Sequence, residues 1–185
     1  MLTTPISRYH SLTIALHWLM ALAIVFMLCS GLYMVNADLP KADQYQWYQL
    51  HKSTGVLVLF GVIARIAIRL FTSQPALPGS LTSRDRKLAQ WGHTALYAMM
   101  CILPLSGWLM VSSSPYGLPT IVFDWFQWPH IPGVQRNAGV ESIAKATHWY
   151  TGLFLMAMLT LHIGAVIKHK RSENLNLLSR MWWSK

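Results

Sequence analysis

The chain has 185 residues, is 54% hydrophobic and only 11% charged, and carries a formal charge of +9. Its mean hydropathy is +0.35. Soluble domains are nearer ~25% charged, and a disordered chain or a basic nucleic-acid module would hold far fewer apolar residues. What remains is an integral membrane protein, one domain over 1–185, with its charges crowded at the ends of its spans.

No Asp, Glu, Lys or Arg occurs between Arg8 and Asp38, between Lys87 and Asp124, or between Lys145 and Lys168. A helix needs about 20 apolar residues to cross a bilayer, so each stretch is long enough for one span. A fourth begins after Lys52 and continues through Arg65 to Phe71. The pattern predicts an all-α bundle of four transmembrane helices, near 12–35, 48–71, 88–112 and 143–168. The first run is too long for a signal-peptide core and contains His17-Trp18, so it reads as a retained helix. Between the second and third helices, Pro75, Pro78 and Gly79 mark a short irregular linker. The long loop 113–142 sets Pro115, Pro119, Pro129 and Pro132 among Tyr116, Phe123, Trp125, Phe126 and Trp128. It reads as a segment on the bilayer edge, a cap on the bundle, or a lid over a ligand. No internal repeat or low-complexity tract is evident.

Cations orient the chain, because Lys and Arg concentrate in cytoplasmic loops. With both termini cytoplasmic, eleven fall inside (Arg8, Arg65, Arg69, Arg84, Arg86, Lys87, Lys168, Lys170, Arg171, Arg180 and Lys185) and four outside (Lys41, Lys52, Arg136 and Lys145). Asp85 and Glu173 lower the inner total to +9, and four acids bring the outer total to zero. The nine tryptophans mostly fall near the two expected interfaces, where Trp is enriched.

Five of the eight histidines, His17, His51, His93, His148 and His162, fall inside spans. Ionisable residues at that depth are costly and usually face the bundle interior. His148 and His162 stand at positions i and i+14 of one helix. That is just under four turns of about 3.6 residues, so both share a face about 21 Å apart along the axis. His17 precedes Gly31, His51 precedes Arg65 and His93 precedes Gly107 by the same interval. Each helix thus presents a histidine at one layer and a glycine, arginine or histidine at the other.

Two stacked layers without carboxylates suit a flat cofactor better than zinc, whose transport sites usually add Asp or Glu. Haem takes one or two axial histidines, an apolar slot, small residues such as Gly31, Gly55 and Gly107, and cations for its propionates. Arg65, on the His51 face, and Arg69 one turn on are propionate candidates; snorkelling to the inner headgroups is the other reading of both. No C-x-x-C-H occurs, so the haem would be non-covalent haem b. Cys29 and Cys101 lie within spans and read as apolar packing. Depth pairs His51 with His148 on the outer side, while His17, His93 and His162 compete on the inner side. His10, His130 and His169 lie outside the spans and read as solvated, with His169 on a face that borders the inner site.

The ordered set of motifs resembles the prokaryotic cytochrome b561 family from Tyr9 to about Arg171. It comprises His17-Trp18, then His51 with Gly55, Arg65 and Arg69. Gly92-His93, Tyr97, Leu103-Pro104 and Gly107 follow, and the His148/His162 pair completes it. The resemblance implies a four-helix bacterial inner-membrane protein with two haem b groups, ligated by His17/His162 inside and His51/His148 outside. His93 then becomes a residue that supports a ligand or lines the quinone site, with His169 a further candidate. The activity implied is electron transfer between a periplasmic donor and ubiquinone or another membrane quinone. Bis-histidine ligation closes both axial positions and favours such transfer. One activity of the family is superoxide oxidation, to which a neutral outer face lends no electrostatic support. A relay subunit docked to a separate dehydrogenase or redox partner protein is the alternative reading, and a non-haem transporter a third.

Overall fold

A computed structural model describes residues 8–183, so Lys185 and the two ends of the expected 1–185 domain lie outside the described residues. Four helices follow in chain order: α1 Ser11–Asn36, α2 Lys41–Phe71, α3 Ser83–Ser113 and α4 Ala138–Ser172. Each is long and apolar enough to cross a membrane. The last three begin well before the expected spans, because the helix outlasts the apolar run that hydropathy detects. Local capping sets those starts. Thr82 Oγ1 accepts from Asp85 N (3.1 Å) and Asn137 Oδ1 from Val140 N (3.1 Å), satisfying amides that a helix start leaves orphaned. Pro40 stands just before α2, where its fixed φ suits a helix entrance.

The first and last described segments meet at one end of the bundle, where Tyr9 N donates to Arg180 O (3.2 Å). This is the termini end. At the opposite end, the loop 113–142, expected to lie on the bilayer edge, cap the bundle or cover a ligand, contains a two-stranded antiparallel ribbon, β1 Thr120–Val122 and β2 Phe126–Trp128. Its turn places Phe123 (φ 46°) and Asp124 (φ 62°) in the left-handed region, as a type I′ turn requires. Side chains of α2 hold it there. Ser53 Oγ donates to Ile121 O and accepts from Phe123 N, and Gln49 brackets Pro119 O and Ile121 N. Trp128 packs edge-on to Phe60 of α2 and Trp108 of α3 (5.8 and 5.5 Å between ring centres). The ribbon therefore wedges into the α2/α3 seam instead of floating above the bundle.

The interior consists of two apolar clusters between the ends. Ile24, Leu96, Met99 and Leu155 join α1, α3 and α4, while Met20, Val58 and Val62 join α1 and α2. Helices in lipid associate through close packing instead of a hydrophobic drive, so small residues matter at contacts. Gly61 illustrates this: a Cβ there would lie 3.2 Å from Met20 Sδ. Leu22, Leu57, Phe60 and Ile63 face outward and are more than half exposed, as lipid-facing residues would be.

Candidate functional site

Near the ribbon end, α2 and α4 bring His51 and His148 together, with ring centres 6.3 Å apart and planes at 70°. Each ring rests on a glycine of the preceding helix. A Cβ at Gly31 would meet His51 Cε1 at 3.4 Å, and one at Gly107 would meet His148 Cε1 at 3.2 Å. Hydrogen bonds at Nδ1 set the tautomer of each ring. Ser30 Oγ gives its proton to Met27 O (3.1 Å), so it accepts from His51 Nδ1 at 2.9 Å. Ser106 Oγ gives its proton to Leu103 O (2.9 Å), and His148 Nδ1 donates to both Ser106 Oγ (3.2 Å) and Leu103 O (2.9 Å). Both Nδ1 atoms carry the proton, which leaves both Nε2 lone pairs available to a Lewis acid.

Toward the termini end the arrangement is more polar. Arg65 Nη1 donates to His17 Nδ1 at 3.1 Å, which leaves the His17 proton on Nε2. His93 and His162 lie edge to edge with ring centres 5.7 Å apart. The guanidiniums of Arg65 and Arg69 each lie 5.7 Å from the centre of the Tyr97 ring, within cation–π range. Neither arginine has a carboxylate partner among the described residues. His169, expected to be solvated, is 8% exposed and donates from Nδ1 to Glu173 Oε2 at 2.7 Å. α4 runs on to Ser172 and carries His169 into its last turn, which is the cause of the difference. The hydrogen bond from His169 holds the Glu173 carboxyl below the usual carboxylate range.

The two halves of the chain repeat one scheme that the sequence reading missed. His17, Ser30 and Gly31 of α1 recur in α3 as His93, Ser106 and Gly107, all three displaced by the same interval. His51 and Arg65 of α2 recur in α4 as His148 and His162, again with one interval for both. Contacts follow the same rule: Ser30 holds His51 as Ser106 holds His148, and Arg65 meets His17 where His162 meets His93. This explains why spacing could not choose between His17 and His93. The repeated Ser-Gly dipeptide was the available signal for Ser30 and Ser106; Tyr97, one turn after His93, was available as a partner for the arginines. Gly55, expected to admit a ring, instead faces Met27 Cε at 3.4 Å.

The ribbon-end pair would offer two imidazole nitrogens to a metal held between α2 and α4. Two nitrogen ligands do not fill the shell of a bare ion, and no set of three or more His, Cys, Asp and Glu able to hold one occurs among the described residues. A metal whose other ligands come from a macrocycle matches a two-histidine donor set.

Comparison with known proteins identifies the family. The family described as prokaryotic cytochrome b561 matches residues 8–184. A relative from Escherichia coli (strain K12), cytochrome b561 homolog 2, is 30% identical over 96% of this chain and 92% of its own length. A protein of Yersinia pestis named probable superoxide oxidase CybB is 26% identical over 94% of this chain and 95% of its own length. The four helices, the paired imidazoles and a match that runs through the described chain give one conclusion: this protein belongs to the prokaryotic cytochrome b561 family of membrane electron carriers.

Proposed function

We propose that this single-domain chain holds two b haems, one at each histidine layer, and carries electrons between a periplasmic donor and the membrane quinone pool. The observation that supports it most is the ribbon-end pair, with both Nδ1 protons committed and both Nε2 atoms without a hydrogen-bond partner among the described residues. His51/His148 are the axial ligands there and His17/His162 those toward the termini, which are cytoplasmic. Haem supplies one-electron chemistry; the chain supplies ligands, low dielectric and fixed dipoles. Ligation by His17 through Nε2 requires its proton on Nδ1, so Arg65 must leave that nitrogen. Arg65, with Arg69, is then free for an anionic propionate. His93 and His169 border the quinone or support the ligands from behind.

Superoxide is one donor class, suggested by the name of the Yersinia relative. A zero net charge on the outer segments gives no net attraction to steer a small anion, and this favours a second reading, a relay subunit that receives electrons from a docked redox partner. Purified protein should show two haems per chain with low-spin bis-histidine spectra; a colourless preparation would overturn the haem reading. Stopped-flow mixing with superoxide separates the donors, and no haem reduction at any dose would sink superoxide. Replacing His93 with Ala should retain both haems and slow quinone reduction, whereas His17→Ala should remove one haem. Loss of a haem from the His93 variant instead would move the inner ligand to α3.

A further inference from the structure

We infer that the C-terminal turn is a positioning element for the His17 imidazole, acting through Trp18, an inference that rests on His17 being an axial ligand. After α4, Asn174 adopts a left-handed conformation (φ 53°), and Leu175 N donates to His169 O at 3.0 Å. This reverses the chain. It returns beneath the bundle as a 3-10 turn, Leu177–Met181, capped by Asn176. Arg180 is only 4% exposed. Its Nη2 donates to Pro75 O (2.9 Å) and Ala76 O (2.8 Å), and its guanidinium lies 5.6 Å from the centre of the Tyr9 ring. Those carbonyls lie outside the helices, in the linker broken by Pro75 and Pro78, and are open to a side-chain donor.

The next residue carries the connection inward. Met181 O accepts from Trp18 Nε1 at 2.7 Å, and the Trp182 ring meets Trp18 edge-on (5.6 Å, 87°). Trp18 in turn lies edge-on to His17 (5.3 Å, 75°). Two distant pieces of chain, Tyr9 and Pro75-Ala76, therefore converge on Arg180, the residue before the carbonyl that accepts from the indole beside His17. Arg65 is the other side chain bonded to that ring, and ligation removes its contact at Nδ1. Trp18 then remains as the neighbour that limits rotation of the imidazole, and Arg180 fixes Trp18 by fixing the turn that supplies its acceptor. Among the described residues His51 and His148 have no such brace; serines and a carbonyl hold them directly.

The test uses the holoprotein and electron paramagnetic resonance of its low-spin haems, whose g-values report axial-imidazole orientation, together with the two midpoint potentials. Arg180→Ala and Trp18→Phe should each shift the signal and potential of the haem that His17→Ala removes, and leave the other haem unchanged. The double variant should shift no further than either single one, and Arg180→Lys should restore part of the wild-type signal. Should Arg180→Ala fail to fold, Trp18→Phe carries the test alone, since it keeps an aromatic ring and removes the N–H. Unchanged signals in Trp18→Phe, equal shifts of both haems, or additive shifts in the double variant would overturn the inference. Hydrogen exchange over residues 9–18 provides a readout independent of haem. Faster exchange in Arg180→Ala with an unchanged haem signal would reduce the turn to a brace of α1, and the positioning role would be lost. A wild-type protein without two low-spin signals would overturn the haem reading itself, a failure visible before any variant is made.

Discussion

At the histidine layers, the half formed by α1 and α2 and the half formed by α3 and α4 place the same residue types at the same sequence intervals, with one substitution in kind. Where the second half has His162, the first has Arg65. At the ribbon end the halves remain alike, and their two histidines face each other with serine-fixed tautomers. Toward the termini they diverge: a guanidinium donates to His17, while an imidazole meets His93. A repeated scaffold thus yields a pre-organised layer at one end and, by one residue, a more polar layer at the other, in which His17 holds the opposite tautomer. The pre-organised layer should resist change in its surroundings and fail when its own ligands are removed.

Removing a ligand should break that equivalence most. His148→Leu should abolish the ribbon-end haem and spare the other, so that haem per chain in a pyridine haemochrome assay falls by about half. His51→Leu should do the same, because an iron with two axial histidines loses its site through either. Retention of both haems in either variant would refute the pairing.

Serine replacement separates the halves more finely. Ser30 is the hydrogen-bond partner of His51 Nδ1, whereas His148 Nδ1 has both Ser106 and the Leu103 carbonyl. Loss of an outer-shell partner typically lowers metal affinity about 10–100-fold. Ser30→Ala should reach that range in a haem-transfer assay, and Ser106→Ala should lose only a few-fold because the carbonyl at 2.9 Å still fixes the tautomer. Equal losses would mean that the Leu103 carbonyl does not hold the ring.

How much of this was legible beforehand follows from the kind of signal each part leaves. The helices and the five intramembrane histidines are visible because charge is excluded from a bilayer core and because the i, i+14 interval nearly completes four turns. Ser30 and Ser106 are harder to see, since a mid-helix serine bonded to the carbonyl three residues back looks like any small polar residue. The ribbon was hidden between flanking prolines in an aromatic loop that read as a bilayer-edge segment or cap, while its anchors Gln49 and Ser53 come from α2, far back in the sequence. Arg180 and Tyr9 lie at opposite ends of the sequence, and no local pattern announces such a contact.

Glycine replacement should have a smaller effect. In Gly107→Ala the new Cβ would lie 3.2 Å from His148 Cε1 and 3.3 Å from Nδ1, so the ring must give way by a few tenths of an ångström. In Gly31→Ala the distance to His51 Cε1 is 3.4 Å, close to ordinary contact. Overpacking of this type costs about 1–3 kcal/mol when the neighbour cannot move. The first variant should lower thermal stability and shift the ribbon-end haem potential, and the second should be nearly silent in both. The reverse order would show that α1, and not α3, closes on the cofactor.

The smallest expected effect contrasts the neutral contacts of the ribbon end with the charged contact at the exit of α4. Glu173 accepts from His169 Nδ1 and lies 3.4 Å from Lys168 Nζ, and the His169 hydrogen bond lowers its pKa from the ordinary 4.5. A carboxyl with a lowered folded pKa stabilises fully above its unfolded value and stops doing so as pH falls through the folded one. Acid should therefore loosen residues 169–176 while the hydroxyl and carbonyl contacts of His51 and His148 are unaffected by carboxylate protonation. Comparing hydrogen exchange in wild type and Glu173→Gln at matched pH isolates the effect. At neutral pH the variant should exchange slightly faster over 169–176, and the difference should vanish once the wild-type carboxyl is protonated. The size is small because the pair is solvent-screened. A difference that persists well below the lowered pKa would mean that Glu173 acts through packing, and that charge does not distinguish the two ends in this respect.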